Sequence, residues 1–567
     1  MKSTAVLLMC MICTIQTFAQ QRYDIVISEI MANPSSSPGL PEAKYIELHN
    51  ASSTAFNLRN CTISDNSSTA KINTDFMLQP DSFIVISPSS GKTLLSTIAN
   101  VISVTNFPAL RINGDMLILR SASAELIHAV GYERSWYGNE VKADKGWSLE
   151  MIDAKNPCSG KSNWKASIDS KGGTPGLRNS IAGNNPDTDS PAILRVFTTD
   201  SLHVSISFSE PVDSTISSNI NNYQLDGNTI VKAEPQAPLF NTVLLTLLNK
   251  LSPQKTYSLT VKNITDCRQN LTATGTANLA LTTIAGTNDI IINEVLFNAP
   301  DDGAEYVELY NHSPNAINIK ELFIATRNSA GNLNALKRLS EEDMIFFPGA
   351  YKVLSGDIEA VKKNYIIKDE NALLQVASMP ALPNSSGDIV VLNVQGDIID
   401  ELVYAEDWHF PLISNYGGVA LERIDNKVLT QNKNNWHSAA ASAGHGTPGY
   451  QNSQLMPAAT VKGDIKIDPP VFSPDGDGYN DFLVINYAFP SPGYICNITV
   501  FDGAGRAVKY IVRNGLCGIS GFFKWDGLDE KNQRLGMGIY VVLVEVYNLQ
   551  GKTKKFKQAV TLARKFN

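Results

Sequence analysis

A long-range duplication constrains this chain more than any other feature. Residues 148–180 read SLEMIDAKNPCSGKSNWKASIDSKGGTPGLRNS, and 420–453 read ALERIDNKVLTQNKNNWHSAAASAGHGTPGYQNS. Leu149, Glu150, Ile152 and Asp153 return as Leu421, Glu422, Ile424 and Asp425. Asn163-Trp164 returns as Asn435-Trp436, and Gly173-Thr174-Pro175-Gly176 as Gly446-Thr447-Pro448-Gly449. Upstream, Glu29 with Tyr45-Ile46-Glu47-Leu48-His49-Asn50 is answered by Glu294 with Tyr306-Val307-Glu308-Leu309-Tyr310-Asn311. Each copy therefore spans roughly 160 residues, the size of one domain. Solenoids repeat every few tens of residues, so the pattern means a duplicated domain.

Within copy one, short apolar runs recur at 24–30, 45–48, 83–86, 116–119 and 126–130, separated by polar turns. That rhythm predicts an antiparallel sandwich. Helical periodicity is nearly absent; the one expected helix is 358–364, in a connection of copy two. A turn-rich segment at 182–191 and a second at 456–460 mark boundaries. Between them, Leu202, Val204, Ile206 and Phe208 alternate with polar residues, as in a half-buried strand. The expectation is all-β: a signal peptide at 1–20, then four sandwich domains at 22–182, 190–285, 286–455 and 463–567. The apolar run 538–544 predicts a central strand in the last of these.

Residues 1–20 have the order of an export signal: Lys2, an apolar run from Ala5 to Ile15, and the small-x-small Thr17-Phe18-Ala19. The apolar run is too short for a membrane span. Cys10 and Cys13 follow large residues, which excludes a lipoprotein-type site. An oxidising destination makes disulfides expected among the other five cysteines. Copy two has Leu322 in place of Cys61 and Thr430 in place of Cys158. This joint absence predicts a Cys61–Cys158 bridge. Cys496 and Cys517 form a second candidate pair, and Cys267 is left over.

A formal charge of −8 in 567 residues argues against nucleic acid as an electrostatic partner. Catalytic signatures fail. No His-Glu-x-x-His or Gly-x-Ser-x-Gly occurs, and Gly91-Lys92-Thr93 lacks the upstream glycine of a phosphate loop, Ile86 standing there. The histidines are scattered; His437 and His445, the only close pair, have no counterpart in copy one and read as surface residues. The repeated carboxylates Glu47/Glu308 and Glu150/Glu422 invite an acid–base reading, but Glu47 lies in a strand pattern where it points outward or pairs locally. Trp164 and Trp436 read as core anchors, and Gly-Thr-Pro-Gly as a turn. Asp475, Asp477, Asn480 and Asp481 put four oxygen donors on a glycine-rich loop. They are a candidate Ca²⁺ site, with an Asx-rich turn as the alternative.

The ordered motifs of both copies resemble the lamin tail domain of secreted bacterial proteins. Phe208-Ser209-Glu210-Pro211-Val212-Asp213, with Asp266-Cys267 before Asn270, resembles the Ig-like modules of bacterial surface-layer proteins. The segment from Pro470 through Asp475-Gly476-Asp477-Gly478, with Trp525-Asp526-Gly527, resembles C-terminal Ig-like domains of exported Bacteroidetes proteins, related to hook-capping and gliding-motility types. These resemblances imply a non-catalytic secreted or cell-surface protein, structural or adhesive, whose partner is an extracellular protein or polysaccharide. Export by the type IX route is one implication, although 558–567 lacks a clear sorting signal. The alternative is an accessory component of an extracellular hydrolase system, or a hydrolase. Carbohydrate binding draws support only from Trp136, Tyr137 and Trp408.

Overall fold

A computed structural model describes residues 21–413, 415–456 and 464–564. The expected signal peptide at 1–20 lies outside them, as does most of the segment after Met456. The protein is a string of four β-sandwiches, as expected. It divides into two compact units: one runs to Lys250 and adds Tyr257–Leu279, the other comprises Leu251–Thr256 and Ala280–Asn567.

Copy one pairs a six-stranded sheet with a four-stranded one. The six run in the order Trp164–Ala166, Leu149–Met151, Ile25–Met31, Tyr45–Asn50, Phe83–Ser87 and Val101–Ser103. The four are Leu126–Glu133, Gly114–Arg120, Thr62–Ser64 and Thr69–Lys71. Copy two builds the same sheets, with Ile290–Leu296 between Tyr306–Asn311 and Leu421–Arg423 at the centre of its six. Both first strands carry a β-bulge at the same place, after Ile27 and after Ile292.

These first strands are buried along their whole length. Alternation gives way there because one face meets the sandwich core while the other lies under the returning chain that ends in Gly-Thr-Pro-Gly. The expected helix Ile358–Asn364 forms, capped by the Asp357 carboxylate on the N–H groups of Glu359 and Ala360. It joins the parallel strands Tyr351–Ser355 and Leu373–Gln375. Copy one has a helix in the same connection, Ser89–Leu95. Sequence reasoning misses it because Ser89, Ser90, Gly91 and Thr93 are weak helix formers; tertiary packing of Leu95 overrides them.

The second module packs a four-stranded sheet against a three-stranded one, and His203–Phe208 shows the expected alternation. In the last module Gly538–Asn548 pairs with Tyr494–Phe501 and Thr553–Leu562 and so is central. Its burial nevertheless alternates, Tyr540, Val542, Val544 and Val546 facing the core. The apolar second face is only half covered.

Candidate functional site

Three strands of copy one place three glutamates in a row. Glu29 lies opposite Glu150 on one neighbour and Glu47 on the other, and all three are fully buried. Copy two repeats the row as Glu308, Glu294 and Glu422. Glu47 and Glu308 thus do not point outward; each pairs with the adjacent strand, accepting from Ser28 Oγ and Asn293 Nδ2, and with more distant chain as well. The reason is that the returning loop covers their face of the sheet.

The loop and the neighbouring strands supply their partners. Glu29 Oε1 accepts from Tyr45 Oη at 2.7 Å, Ser148 Oγ at 2.5 Å and Thr174 N at 2.8 Å. Glu47 Oε2 accepts from Gly176 N at 2.6 Å. Glu150 Oε2 accepts from Ser180 Oγ at 2.8 Å and Ile181 N at 3.2 Å. In copy two Thr447 Oγ1 lies 2.7 Å from Glu294 Oε2 and 2.9 Å from Glu422 Oε1. A hydroxyl has one hydrogen, so one of those carboxyls must be protonated to make the second bond. Like charges opposite each other in buried sheet would otherwise repel.

The titration behaviour agrees with this geometry. Burial, and next the Glu150 charge, push the Glu29 carboxyl up to about 7. Burial and the Glu294 charge push Glu422 up to about 8. Glu47 and Glu308 are held well above the ordinary carboxylate range, again by burial first.

The recurrence of Gly-Thr-Pro-Gly now has a cause. A Cβ on Gly173 would meet Glu29 Oε1 at 2.6 Å and Tyr45 Oη at 2.7 Å, and on Gly446 would meet Tyr306 Oη at 2.6 Å. Gly176 and Gly449 have φ of 81° and 87°, which favours glycine, and aim their N–H groups at Glu47 and Glu308. The motif is a loop that closes over a buried carboxyl row. The carboxyls are buried from solvent and bind the loop to the sheet.

The cysteines differ from expectation. Cys158 is bonded to Cys267 of the second module, their Cα atoms 6.4 Å apart. Cys61 is instead buried in the core of copy one. The joint absence from copy two has two separate causes. Leu322 fills the core place of Cys61, while Thr430 at the place of Cys158 bonds the buried Arg423 through its hydroxyl and Trp436 Nε1 through its carbonyl. Cys496 and Cys517 are buried in the same core cluster and are not bridged; the neighbouring Cys496 thiol, then burial, holds the Cys517 thiol well above its usual range.

Around the Cys158–Cys267 bridge, carboxylate oxygens of Asp187, Glu210 and Asp266 lie within 4.8 Å of one another. Burial, then Asp187, pushes the Glu210 carboxyl up to about 8. Ser159 donates to Asp187 at 2.5 Å and Asn270 to Asp266 at 2.8 Å. Ser159, Asp187 and Glu210 border a cleft of about 650 Å³ that Arg22 and Trp136 also line. Sequence reasoning missed this group because its members lie far apart along the chain. The segment 182–191 is not a loose tether: Asn185 and Asp187 are hydrogen-bonded to the end of copy one and to Asn270.

Asp475, Asp477 and Asp481 also bring carboxylate oxygens within 4.8 Å of one another. Asp481 accepts from Gly476 N and Gly478 N, and Asp477 from Tyr479 N. Asn480 adopts a positive φ and accepts from Ser473 N through its carbonyl. Among the aromatics, Tyr137 is buried, and Trp136 and Trp408 pack against the cores instead of standing free. Trp164 and Trp436 are core residues. His445 is exposed as expected, whereas His437 is half-buried, its ring 4.8 Å from Phe410.

The lamin tail domain family matches residues 19–134 and 283–406. Both matches end before the Gly-Thr-Pro-Gly loops that the carboxyl rows bind into the same modules. No curated protein matches in sequence. Among solved structures, the N-terminal part of the bacterial S-layer protein SbsC is 18% identical, over 29% of this chain and 40% of that one, with a TM-score of 0.16. A DUF4876 family protein from Bacteroides thetaiotaomicron is 13% identical over 36% of this chain and 83% of its own, with a TM-score of 0.18. A Ca²⁺-stabilised adhesin of an Antarctic bacterium is 8% identical over 96% and 100%, with a TM-score of 0.12. None of these likenesses is close enough to carry a functional conclusion.

Proposed function

Because the chain carries the lamin tail domain twice, each copy joined to a further β-sandwich, we propose that it is an exported, non-catalytic scaffold of the cell surface. Its role is structural or adhesive, toward an extracellular protein or polysaccharide. The observation that carries this reading is the use made of the repeated carboxylates. In both copies the acid residues best placed for acid–base work are sealed in the sheet and committed to holding a loop. A residue set that recurs for architecture favours display over turnover.

Two further features support a structural role. A disulfide fixes copy one to the second module. At copy two, Phe410 packs with Ile495 and Leu516 of the last module, Ile519 N donates to Ser453 O at 2.9 Å, and Gln454 Nε2 to Cys517 O at 3.3 Å. Export over the cell envelope, with the type IX route as one means, accords with the composition of residues 1–20, and Ca²⁺ at Asp475, Asp477, Asn480 and Asp481 belongs to the same proposal. Fractionation of native cells tests it: the chain should sediment with the outer envelope or appear in the medium. Recovery in the cytosol, or hydrolysis of polysaccharide or nucleic acid by the purified chain, would favour the alternative of a hydrolase or its accessory module.

A further inference from the structure

The two lamin tail modules answer one hydrogen-bonding demand differently. At the bulge of the first strand copy two has Asn293 and copy one Ser28. Asn293 Nδ2 donates to Glu308 Oε1 at 2.7 Å and to Asn452 Oδ1 at 2.6 Å. In copy one the Ser28 hydroxyl turns to Glu47 Oε1 at 2.8 Å. Asn179, the counterpart of Asn452, still gives both Nδ2 hydrogens to Ser28 O and Met151 O, each at 2.8 Å. Its Oδ1 is buried with no partner, although Asn179 is only 8% exposed. A buried amide oxygen without a donor is costly, and such an exception needs a reason.

Ser28 and Asn179 line a cleft of about 520 Å³ lying wholly within copy one. That is the size of a small-molecule site. On one side the His49 ring lies flat on Phe83, centroids 4.3 Å apart, with Nε2 3.1 Å from Asp81. Lys155 and Arg178 also line it, both exposed, and among the described residues neither side chain has a hydrogen bond or ion pair. The Asp153 carboxylate beside them is committed to the N–H groups of Lys155 and Asn185. Copy two has Gln451 for Arg178, Tyr310 for His49 and Gly349 for Asp81.

We propose that this cleft binds a sugar acid: a uronic acid residue whose hydroxyl donates to Asn179 Oδ1, whose carboxylate takes Lys155 and Arg178, and whose apolar ring face lies along the His49–Phe83 wall. A hydroxyl supplies the donor that Asn179 lacks. The two unpaired cations select a charged ligand over a neutral sugar. Asp81 and Asp153 at the same cleft disfavour a dianion, which argues for carboxylate over phosphate. This inference goes beyond the scaffold reading and rests on copy one alone.

Calorimetric titration of the full chain with glucuronate, glucose and inorganic phosphate tests it. Glucuronate should saturate one site, with glucose and phosphate weaker by at least about tenfold, the scale of a charge-assisted hydrogen bond. Ser28→Asn installs the copy-two donor on Asn179 Oδ1 and should weaken glucuronate at least about tenfold. Arg178→Gln should weaken glucuronate to a similar degree and leave glucose unchanged. Both residues stand at these places in copy two, so the fold is expected to survive, as unfolding midpoints will show. The proposal is overturned if glucuronate fails to saturate at concentrations on the order of tens of millimolar, if phosphate binds more tightly, or if Ser28→Asn binds as the unsubstituted chain does.

Discussion

Raising the pH from 4.5 toward 8 should destabilise both lamin tail modules, against the usual direction for carboxylates. An unfolded Glu loses its proton near 4.5, whereas the Glu29 carboxyl in the folded module holds it to about 7 and Glu422 to about 8. The stability linked to these groups is fully present below the unfolded value and is lost as pH rises through the folded one. At about 1.4 kcal/mol for each pH unit between the two values, Glu29 accounts for on the order of 3 kcal/mol in copy one. Glu422 accounts for on the order of 5 kcal/mol in copy two. In modules of this size a 3 kcal/mol change moves the unfolding midpoint by roughly 6–12 °C.

Calorimetric unfolding of the full chain at several pH values between 4.5 and 8.5 reads the effect directly. Glu29→Gln and Glu422→Gln mimic the protonated acids and keep an acceptor for the loop, so each should reduce the slope of its own module, the raised Glu47 and Glu308 carboxyls keeping the remainder. Glu29→Ala should instead cost several kcal/mol at every pH, because Tyr45 Oη, Ser148 Oγ and Thr174 N are left buried without an acceptor, at about 1–3 kcal/mol each. Midpoints that are flat or rise over this window, or a slope that neither Gln substitution reduces, would refute the protonated-row account.

Non-reducing peptide mapping should recover Cys158 linked to Cys267; its replacement by Cys61–Cys158 would contradict the structure. The same map should find Cys496 joined to Cys517 after mild oxidation, since the two thiols lie in one core cluster; labelling of both by a thiol reagent in the oxidised, unfolded chain would contradict this. Limited proteolysis should spare 182–191 until the Cys158–Cys267 bridge is reduced, because hydrogen bonds tie the segment at both sides. Early cleavage there in the oxidised chain would show that those bonds do not hold. Millimolar Ca²⁺ should raise the midpoint of the last module by the equivalent of about 2–4 kcal/mol, and Asp477→Ala should abolish the rise; equal midpoints with calcium and with chelator would leave only the Asx turn.

Fold class was legible because period-two alternation and the duplication are local or collinear signals. The partners of Glu47 were not, since its N–H donor, Gly176, lies far along the chain. A strand pattern shows which residues share a face but not what later covers that face. Pairing by joint absence failed for Cys158 for the same reason: the partner belonged to the next module, where no repeat was available for comparison. The Asp187–Glu210–Asp266 group combines both difficulties. The Asp475–Asp481 contacts, by contrast, were readable because all their members lie on one short loop.

The most direct test of the surface-scaffold account is protease digestion of intact cells, followed by immunodetection of the chain. The account predicts that the full-length chain disappears and its β-module fragments enter the medium while a cytosolic marker stays whole. A chain that resists digestion in intact cells and is cleaved only after lysis would contradict it.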